Sequence, residues 1–180
     1  MTATPIPRSL TMSAYADLDT SVIDELPPGR QAVETVALSN ARRDELINKI
    51  RKISNKGRQI YWVCTLIEES EALRAESAEK TFNYLKDNLN ELTVVMIHGR
   101  LTKPEKESIM KDFEMGKINL LVATTVIEVG VNVPNASLMI VENAERLGLA
   151  QLHQLRGRVG RGSEKSICIL LYQSPLSENA

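Results

Sequence analysis

Residues 59–67 read QIYWVCTLI, an almost continuous apolar run. Four more short runs of this kind follow it along the chain: residues 92–97 (LTVVMI), 119–123 (NLLVA), 138–141 (LMIV) and 166–172 (SICILLY). A strand with one face exposed to solvent alternates apolar and polar residues, and these runs do not alternate. Near-continuous runs are typical of strands that are covered on both faces of a parallel sheet.

Longer stretches with helical spacing separate these runs. Residues 71–89 place apolar side chains among charged ones, and a second stretch over 104–113 follows Thr102 and opens with Pro104, both typical of a helix start. Upstream, residues 30–38 read as a strand, and Asn40 is expected to cap a helix over 41–53. This alternation predicts an α/β fold with a mainly parallel central sheet flanked by helices.

The beginning of the chain has a different character. Residues 1–8 (MTATPIPR) contain two prolines, and residues 26–29 (LPPG) interrupt any regular element. We therefore expect residues 1–29 to be a lead-in and residues 30–180 to form the folded lobe.

The composition is that of an ordinary globular protein, with 180 residues, 43% hydrophobic and 25% charged. It argues against collagen, a disulfide scaffold and a disordered tail. No run approaches the roughly 20 apolar residues that cross a bilayer. Cys64 and Cys168 lie in apolar runs, where buried free thiols are expected. A net charge of −1 indicates that the protein as a whole is not a basic nucleic-acid binder.

Residues 151–162 (QLHQLRGRVGRG) are the most informative segment. Read as one helix, they place four polar side chains on one face: Gln151, Gln154, Arg158 and Arg161. Gly157 and Gly160 would each cost about 1 kcal/mol inside a helix, so we expect close approach of the backbone to a partner or ligand there. Paired arginines suit the negative charge of a transferring phosphoryl group. The alternative is a solvated basic face, or pairing with Glu142 and Glu145.

Polar residues follow two of the predicted strands. Thr124 and Thr125 come at the end of one, where parallel α/β sheets bind ligands, and hydrogen bonds to nucleic-acid phosphates would suit them. An ordinary loop is the alternative. His98 and Arg100 follow another strand, and a lone histidine at such a place is more often a loop residue than a catalytic base.

Three familiar sites are missing from the sequence. It has no G-x-x-x-x-G-K-[ST] loop to hold β- and γ-phosphates. It has no Asp–Glu pair at a strand end to hold Mg²⁺. Its two His and two Cys residues are too scattered for a zinc site, so we expect no metal ligands in this chain.

Taken together, these segments resemble the second motor lobe of superfamily 2 helicases, and most closely the RecG family of branched-DNA helicases. The matching segments are residues 1–8 (motif III), 60–70 (IYWVCTLIEES, motif IV), 98–101 (motif IVa), 123–136 (motif V) and 151–162 (motif VI). Motif VI alone identifies only the superfamily. The narrower likeness depends on VCTLIEES, TTVIEVG, PNASLMIVENAERLGL and LLYQSPLS. The resemblance covers essentially the whole chain and implies a RecA-like lobe, related to the P-loop NTPases.

The resemblance also implies roles for individual residues. Arg158 and Arg161 would be arginine fingers that reach the γ-phosphate across the cleft between two lobes. Two more residues would face the nucleotide: Gln154 and Asn132. Three would contact DNA: Thr124, Thr125 and Arg100. Two hydroxyls would couple the lobes: Thr2 and Thr4. Asn132 stands where the family usually has aspartate, so it keeps an acceptor but lacks the charge.

As a whole, the resemblance implies an ATP-dependent DNA helicase that remodels forks and Holliday junctions in recombination and repair. It implies a bacterial cytoplasmic protein associated with the nucleoid and not with a membrane. ATP and Mg²⁺ would be bound mainly by a first RecA-like lobe, which with a wedge domain would precede Met1, so the chain would be an inactive fragment. Two alternatives stay open: a double-strand DNA translocase of the transcription-repair coupling type, and a non-enzymatic module that binds nucleic acid or a partner.

Overall fold

The structure is a computed structural model that describes residues 31–65, 71–124, 133–162 and 164–176, without the side chains of residues 71–75. The expected lead-in over residues 1–29, with Thr2 and Thr4, lies outside the described residues. Thr125 and Asn132 also lie outside them. The division at residue 30 therefore stays a prediction.

Six strands of the described chain form one parallel sheet. They are β1 (Glu34–Ser39), β2 (Gln59–Cys64), β3 (Val94–Ile97), β4 (Leu120–Ala123), β5 (Ala136–Glu142) and β6 (Ile167–Tyr172). Their order across the sheet is β1-β6-β5-β2-β4-β3, and every neighbouring pair is parallel. Each apolar run that predicts a strand overlaps one, so the predicted parallel α/β fold is confirmed.

Within the described ranges, four α-helices cover the sheet: α1 (Arg43–Ser54), α2 (Glu71–Asn88), α3 (Lys103–Glu114) and α4 (Leu149–Arg156). The predicted start of α3 is confirmed: Thr102 is its N-cap residue, and the Thr102 amide and hydroxyl both donate to Oε2 of Glu105 at 2.7 Å. The predicted cap at Asn40 is wrong. Ser39 accepts a hydrogen bond from the Ala41 amide instead, and a 3₁₀ turn over Asn40–Arg42 precedes α1.

The strands β2, β4 and β5 are buried on both faces, which explains why their sequences are mostly apolar. Side chains alternate between the faces along β2, so that Tyr61 and Val63 lie in one core cluster and Ile60 and Trp62 in the other. The first cluster includes residues of α3 and α4, and the second includes residues of α1 and α2. We call these the α3/α4 face and the α1/α2 face.

The two cysteines are buried free thiols, as the apolar runs predict. Burial raises the pKa of the Cys168 thiol to about 11. Burial, with the nearby Glu142 carboxylate, also raises the pKa of the Cys64 thiol well above its usual value. Both thiols are therefore protonated at neutral pH. Among the helices of the described chain, none is long and apolar enough to cross a membrane.

Candidate functional site

The segment over residues 151–162 is not one helix, so the prediction of a single polar face is wrong. Helix α4 ends at Arg156, and Gly157 is its C-cap residue. The amide of Arg158 then bonds to the Leu155 carbonyl at 2.9 Å in a tight turn. Gln151 and Gln154 consequently lie on the helix, whereas Arg158 and Arg161 lie on the turn that follows it. We call residues 157–161 the arginine turn.

The glycines of this segment have different physical reasons. A Cβ on Gly157 would lie 3.4 Å from the Gln154 carbonyl oxygen, which is ordinary contact, so packing within the chain does not require glycine there. Gly160 has a φ of +74°, and a Cβ on it would lie 2.5 Å from Cγ2 of Val33. At Gly160 the backbone closely approaches a side chain of the same protein, and the expected approach to a partner or ligand stays a prediction.

Gly162 fixes the other end of the segment. A Cβ there would lie 2.6 Å from the Pro134 carbonyl oxygen, a backbone atom that cannot move aside easily. Residues 133–135 are the described end of the segment that resembles motif V. The absence of a side chain at Gly162 therefore allows the segments resembling motifs V and VI to approach each other closely.

Both arginines of the turn lie near the buried Tyr61 side chain. Burial raises the pKa of the Tyr61 phenol to about 12, and the positive charges of Arg158 and Arg161 lower it by a smaller amount. Tyr61 belongs to the core of the α3/α4 face, where its ring packs edge-on against Phe113 at 4.9 Å between centroids. Arg161 also donates a hydrogen bond through Nε to the Gly157 carbonyl at 3.2 Å, which supports the turn from within.

The Glu142 carboxylate, which was an alternative partner for the two arginines, binds other residues instead. On the α1/α2 face, Arg43 Nη1 lies 2.5 Å from Oε1 of Glu142, and the Trp62 indole donates to Oε2 at 3.0 Å. The Thr81 hydroxyl donates to the same oxygen at 3.3 Å. Glu142 thus joins α1, α2 and β2 at the end of β5. One oxygen of Glu145 is buried without a hydrogen bond to any described residue.

The candidate DNA-contacting residues lie at another edge of the sheet. Thr124 follows β4, and its amide bonds to the Ile97 carbonyl at 3.2 Å, which brings it next to the loop after β3. Lys106 donates to the Gly99 carbonyl at 3.1 Å and holds that loop, in which Arg100 is exposed. The Thr124 side chain itself is buried. These residues share the carboxyl edge, where parallel sheets bind ligands.

The structure therefore forms two groups from the predicted residues. Val33 lies against Gly160 of the arginine turn and Pro134 lies against Gly162 just after it. These two residues precede β1 and β5, so the turn lies towards the amino edge of the sheet. Thr124 and Arg100 lie at the carboxyl edge. Gln154 is exposed on α4. The chain thus presents two separate candidate surfaces. One is the arginine turn, and the other is formed by Thr124 and the loop that contains Arg100.

Sequence reasoning missed Arg156. Its side chain is half-buried, and its Nη2 donates a hydrogen bond to the Val33 carbonyl at 3.2 Å. Its place beside two recognisable arginines was the available signal, but its partner lies 123 positions away in sequence. Such a pairing has no local sequence pattern.

The side chains of the arginine turn are suited to binding phosphate rather than a metal ion. Arg158 and Arg161 are permanent cations whose planar guanidinium groups suit phosphate oxygens. Within the described ranges, no cluster of three or more His, Cys, Asp and Glu side chains is placed to hold a metal ion. The residues present can therefore contribute charge to a bound nucleotide.

Comparisons with known proteins agree with this geometry. The family model described as the helicase conserved C-terminal domain matches residues 39–163. The chain is 65% identical over 181 aligned positions to the ATP-dependent DNA helicase RecG of Escherichia coli O157:H7, covering 100% of this chain and 26% of that protein. It therefore spans about a quarter of the length of this curated relative.

Solved structures give the same result. A structure of RecG bound to a three-way DNA junction matches with a TM-score of 0.80 and 44% identity, over 98% of this chain and 23% of that one. Saccharomyces cerevisiae Dbp5 bound to RNA and ADP BeF3 matches with a TM-score of 0.66 over 99% of this chain and 44% of that one. At 18% identity, the Dbp5 match shows the fold alone.

The predicted RecA-like fold is confirmed by these structural matches, and the resemblance to RecG is confirmed by identity along the whole chain. The family match covers the described arginine turn, Thr124 and the loop that contains Arg100. The chain belongs to the family of helicase conserved C-terminal domains.

Proposed function

We propose that this chain is the second motor lobe of an ATP-dependent DNA helicase that remodels forks and Holliday junctions in recombination and repair. The observation that carries the proposal is the arginine turn, in which Arg158 and Arg161 lie near Tyr61 on a backbone packed against Val33. Identity to RecG along the whole chain supports it, as does the fold shared with RecG on a three-way DNA junction. Neither alternative, a coupling-type translocase or a non-enzymatic module, has comparable support.

In this proposal the arginine turn supplies the charge that a hydrolysing nucleotide needs. Arginine fingers stabilise the negative charge that spreads over the transferring γ-phosphoryl group. Arg158 and Arg161 are the fingers, and Gln154 and Asn132 face the same nucleotide. A first RecA-like lobe, with a wedge domain in the same polypeptide, supplies the phosphate cradle and the Mg²⁺ ligands.

The second surface contacts DNA. The loop with Arg100, together with Thr124 and Thr125, binds the phosphate backbone of branched DNA, and Thr2 and Thr4 couple the lobes. Phosphate contacts position a duplex without reading its sequence, which suits an enzyme that recognises branch shape. Binding that depends on phosphate contacts weakens steeply with salt. We place the protein in the bacterial cytoplasm, with the nucleoid.

A chimera tests the proposal, because the whole of this chain aligns with about a quarter of Escherichia coli RecG. The chimera is Escherichia coli RecG with its aligned segment replaced by this chain. We expect the chimera to hydrolyse ATP, when stimulated by a three-way DNA junction, within about tenfold of the rate of the parent RecG. Parent RecG with the segment deleted is the negative control. A folded chimera no more active than the deletion protein would overturn the proposal.

The 180-residue chain by itself is expected to show no ATP hydrolysis above background, with or without DNA. The arginines alone cannot position Mg²⁺ and the attacking water, because catalysis of phosphoryl transfer depends on a complete, oriented site. Phosphate release would be measured at the same molar concentration as the chimera. Turnover stimulated by DNA in the purified chain would show that this division of the site between two lobes is incorrect.

A further inference from the structure

The chain that enters β1 lies directly against the arginine turn. Arg156, the last residue of α4, donates through Nη2 to the Val33 carbonyl at 3.2 Å. On the turn itself, Gly160 leaves no room for a Cβ, which would lie 2.5 Å from the Val33 Cγ2 atom and 3.8 Å from the Gln31 carbonyl oxygen. Residues 31–33 are therefore in contact with Arg156, which directly precedes the turn, and with Gly160 near its end.

Two further contacts fix this short segment in place. The Glu34 amide bonds to the Ser166 carbonyl at 3.0 Å, which joins the start of β1 to the start of β6. The Val33 side chain packs on the core cluster that includes Leu155 and Val159. The Val33 side chain is thus held by core residues of α4 and the turn, and the residue that follows Val33 is held by the start of β6.

We propose that Val33, Arg156 and Gly160 form an entry contact that holds the arginine turn to the incoming chain, and that Arg156 is a positioning residue for Arg158 and Arg161. This inference rests on the proposed function.

The protein contains matched controls for both halves of this contact. Arg51, on the α1/α2 face, donates through Nη2 to the Asn88 carbonyl at 2.5 Å, which is the same kind of hydrogen bond far from the turn. Gly116 has a φ of +77°, close to that of Gly160, but a Cβ there would meet open space. Substituting these two residues reproduces the chemistry and the backbone strain without disturbing the entry contact.

The first test uses kinetics of the chimera. Arg156→Met is expected to lower kcat for DNA-stimulated ATP hydrolysis by about tenfold, as for the loss of one charged hydrogen bond, with KM for ATP unchanged. Arg156→Lys should recover part of the loss, and Arg51→Met should leave kcat as it was. An equal loss in Arg51→Met, or a raised KM with kcat intact, would overturn the positioning role.

The glycine pair provides a second variant if Arg156→Met folds poorly. Gly160→Ala is expected to lower kcat more than Gly116→Ala, because only the former forces Val33 away from the turn. Adding Val33→Ala to Gly160→Ala removes the colliding methyl group and should restore part of the rate. Equal effects of the two alanine substitutions would contradict the entry contact.

Hydrogen exchange on the 180-residue chain separates this inference from the proposed function. The Arg158 and Glu34 amides are both hydrogen-bonded, at 2.9 and 3.0 Å, so both should be protected. Arg156→Met is expected to speed exchange at both amides, and Arg51→Met at neither. Unchanged exchange overturns the entry contact even if the chimera is active. Faster exchange with an inactive chimera supports the contact and overturns the proposed function.

Discussion

Arg161→Ala in the chimera is expected to lower the rate of DNA-stimulated ATP hydrolysis by about a thousandfold, the lower end of the effect of an arginine finger. Arg161 lies on the arginine turn, near Tyr61, and its side chain is exposed. A finger acts on charge that develops in the transition state, so its loss reduces kcat and not ground-state binding. We therefore expect the affinity for ATP to change by less than about threefold.

Single-turnover hydrolysis and equilibrium binding of a fluorescent ATP analogue would measure the two quantities separately. Arg42→Ala is the matched control, since Arg42 is an exposed arginine that pairs with Glu45 on the surface at 2.6 Å. Surface pairs contribute little to stability, so this control should behave as the unmodified chimera. If Arg161→Ala kept the full rate, or lost rate and ATP affinity in proportion, its role as a finger would be refuted.

Glu142→Ala is expected to destabilise the chain by about 3–5 kcal/mol, because it leaves the Arg43 cation buried without its partner. The two side chains are only 20% and 10% exposed, which places the pair in the range where an unpaired charge is costly. Trp62 and Thr81 would lose their acceptor as well. The guanidinium carbon of Arg43 lies 5.1 Å from the centroid of the Trp62 ring, so packing there would also change.

Urea unfolding would measure this loss through the fluorescence of Trp62, the sole tryptophan of the chain. Glu45→Ala breaks the surface pair with Arg42 and should cost less than about 1 kcal/mol. The double variant Arg43→Met with Glu142→Leu removes both charges and should recover most of the stability. A loss below about 1 kcal/mol in Glu142→Ala would mean that the buried pair does not stabilise the fold.

The fold could be predicted from the sequence because its signals are local. The strands β2, β4 and β5 are buried along their whole length, so their apolar runs are nearly continuous, and β2 within residues 59–67 is the plainest case. The start of α3 is equally local, since Thr102 and Glu105 lie three positions apart. Patterns of this kind need no knowledge of distant contacts.

The site was harder to predict because its contacts are not local. A helical period continues through residues 151–162, but α4 ends at Arg156, and the glycines beyond it meet Val33 and Pro134 rather than a helix. Arg156 meets Val33 across 123 positions, and Arg43 meets Glu142 across 99. Glu142 lies close to the arginines in sequence, which made pairing plausible, yet its side chain points to the opposite face of the sheet.

The most direct test of the motor-lobe assignment is strand separation of a labelled three-way DNA junction by the chimera in a single turnover. We predict that the chimera separates the strands only when ATP is present, and that Arg161→Ala binds the junction without separating it. Parent Escherichia coli RecG on the same junction is the positive control. A folded chimera that binds the junction and ATP but separates no strands would contradict the assignment of this chain as a helicase motor lobe.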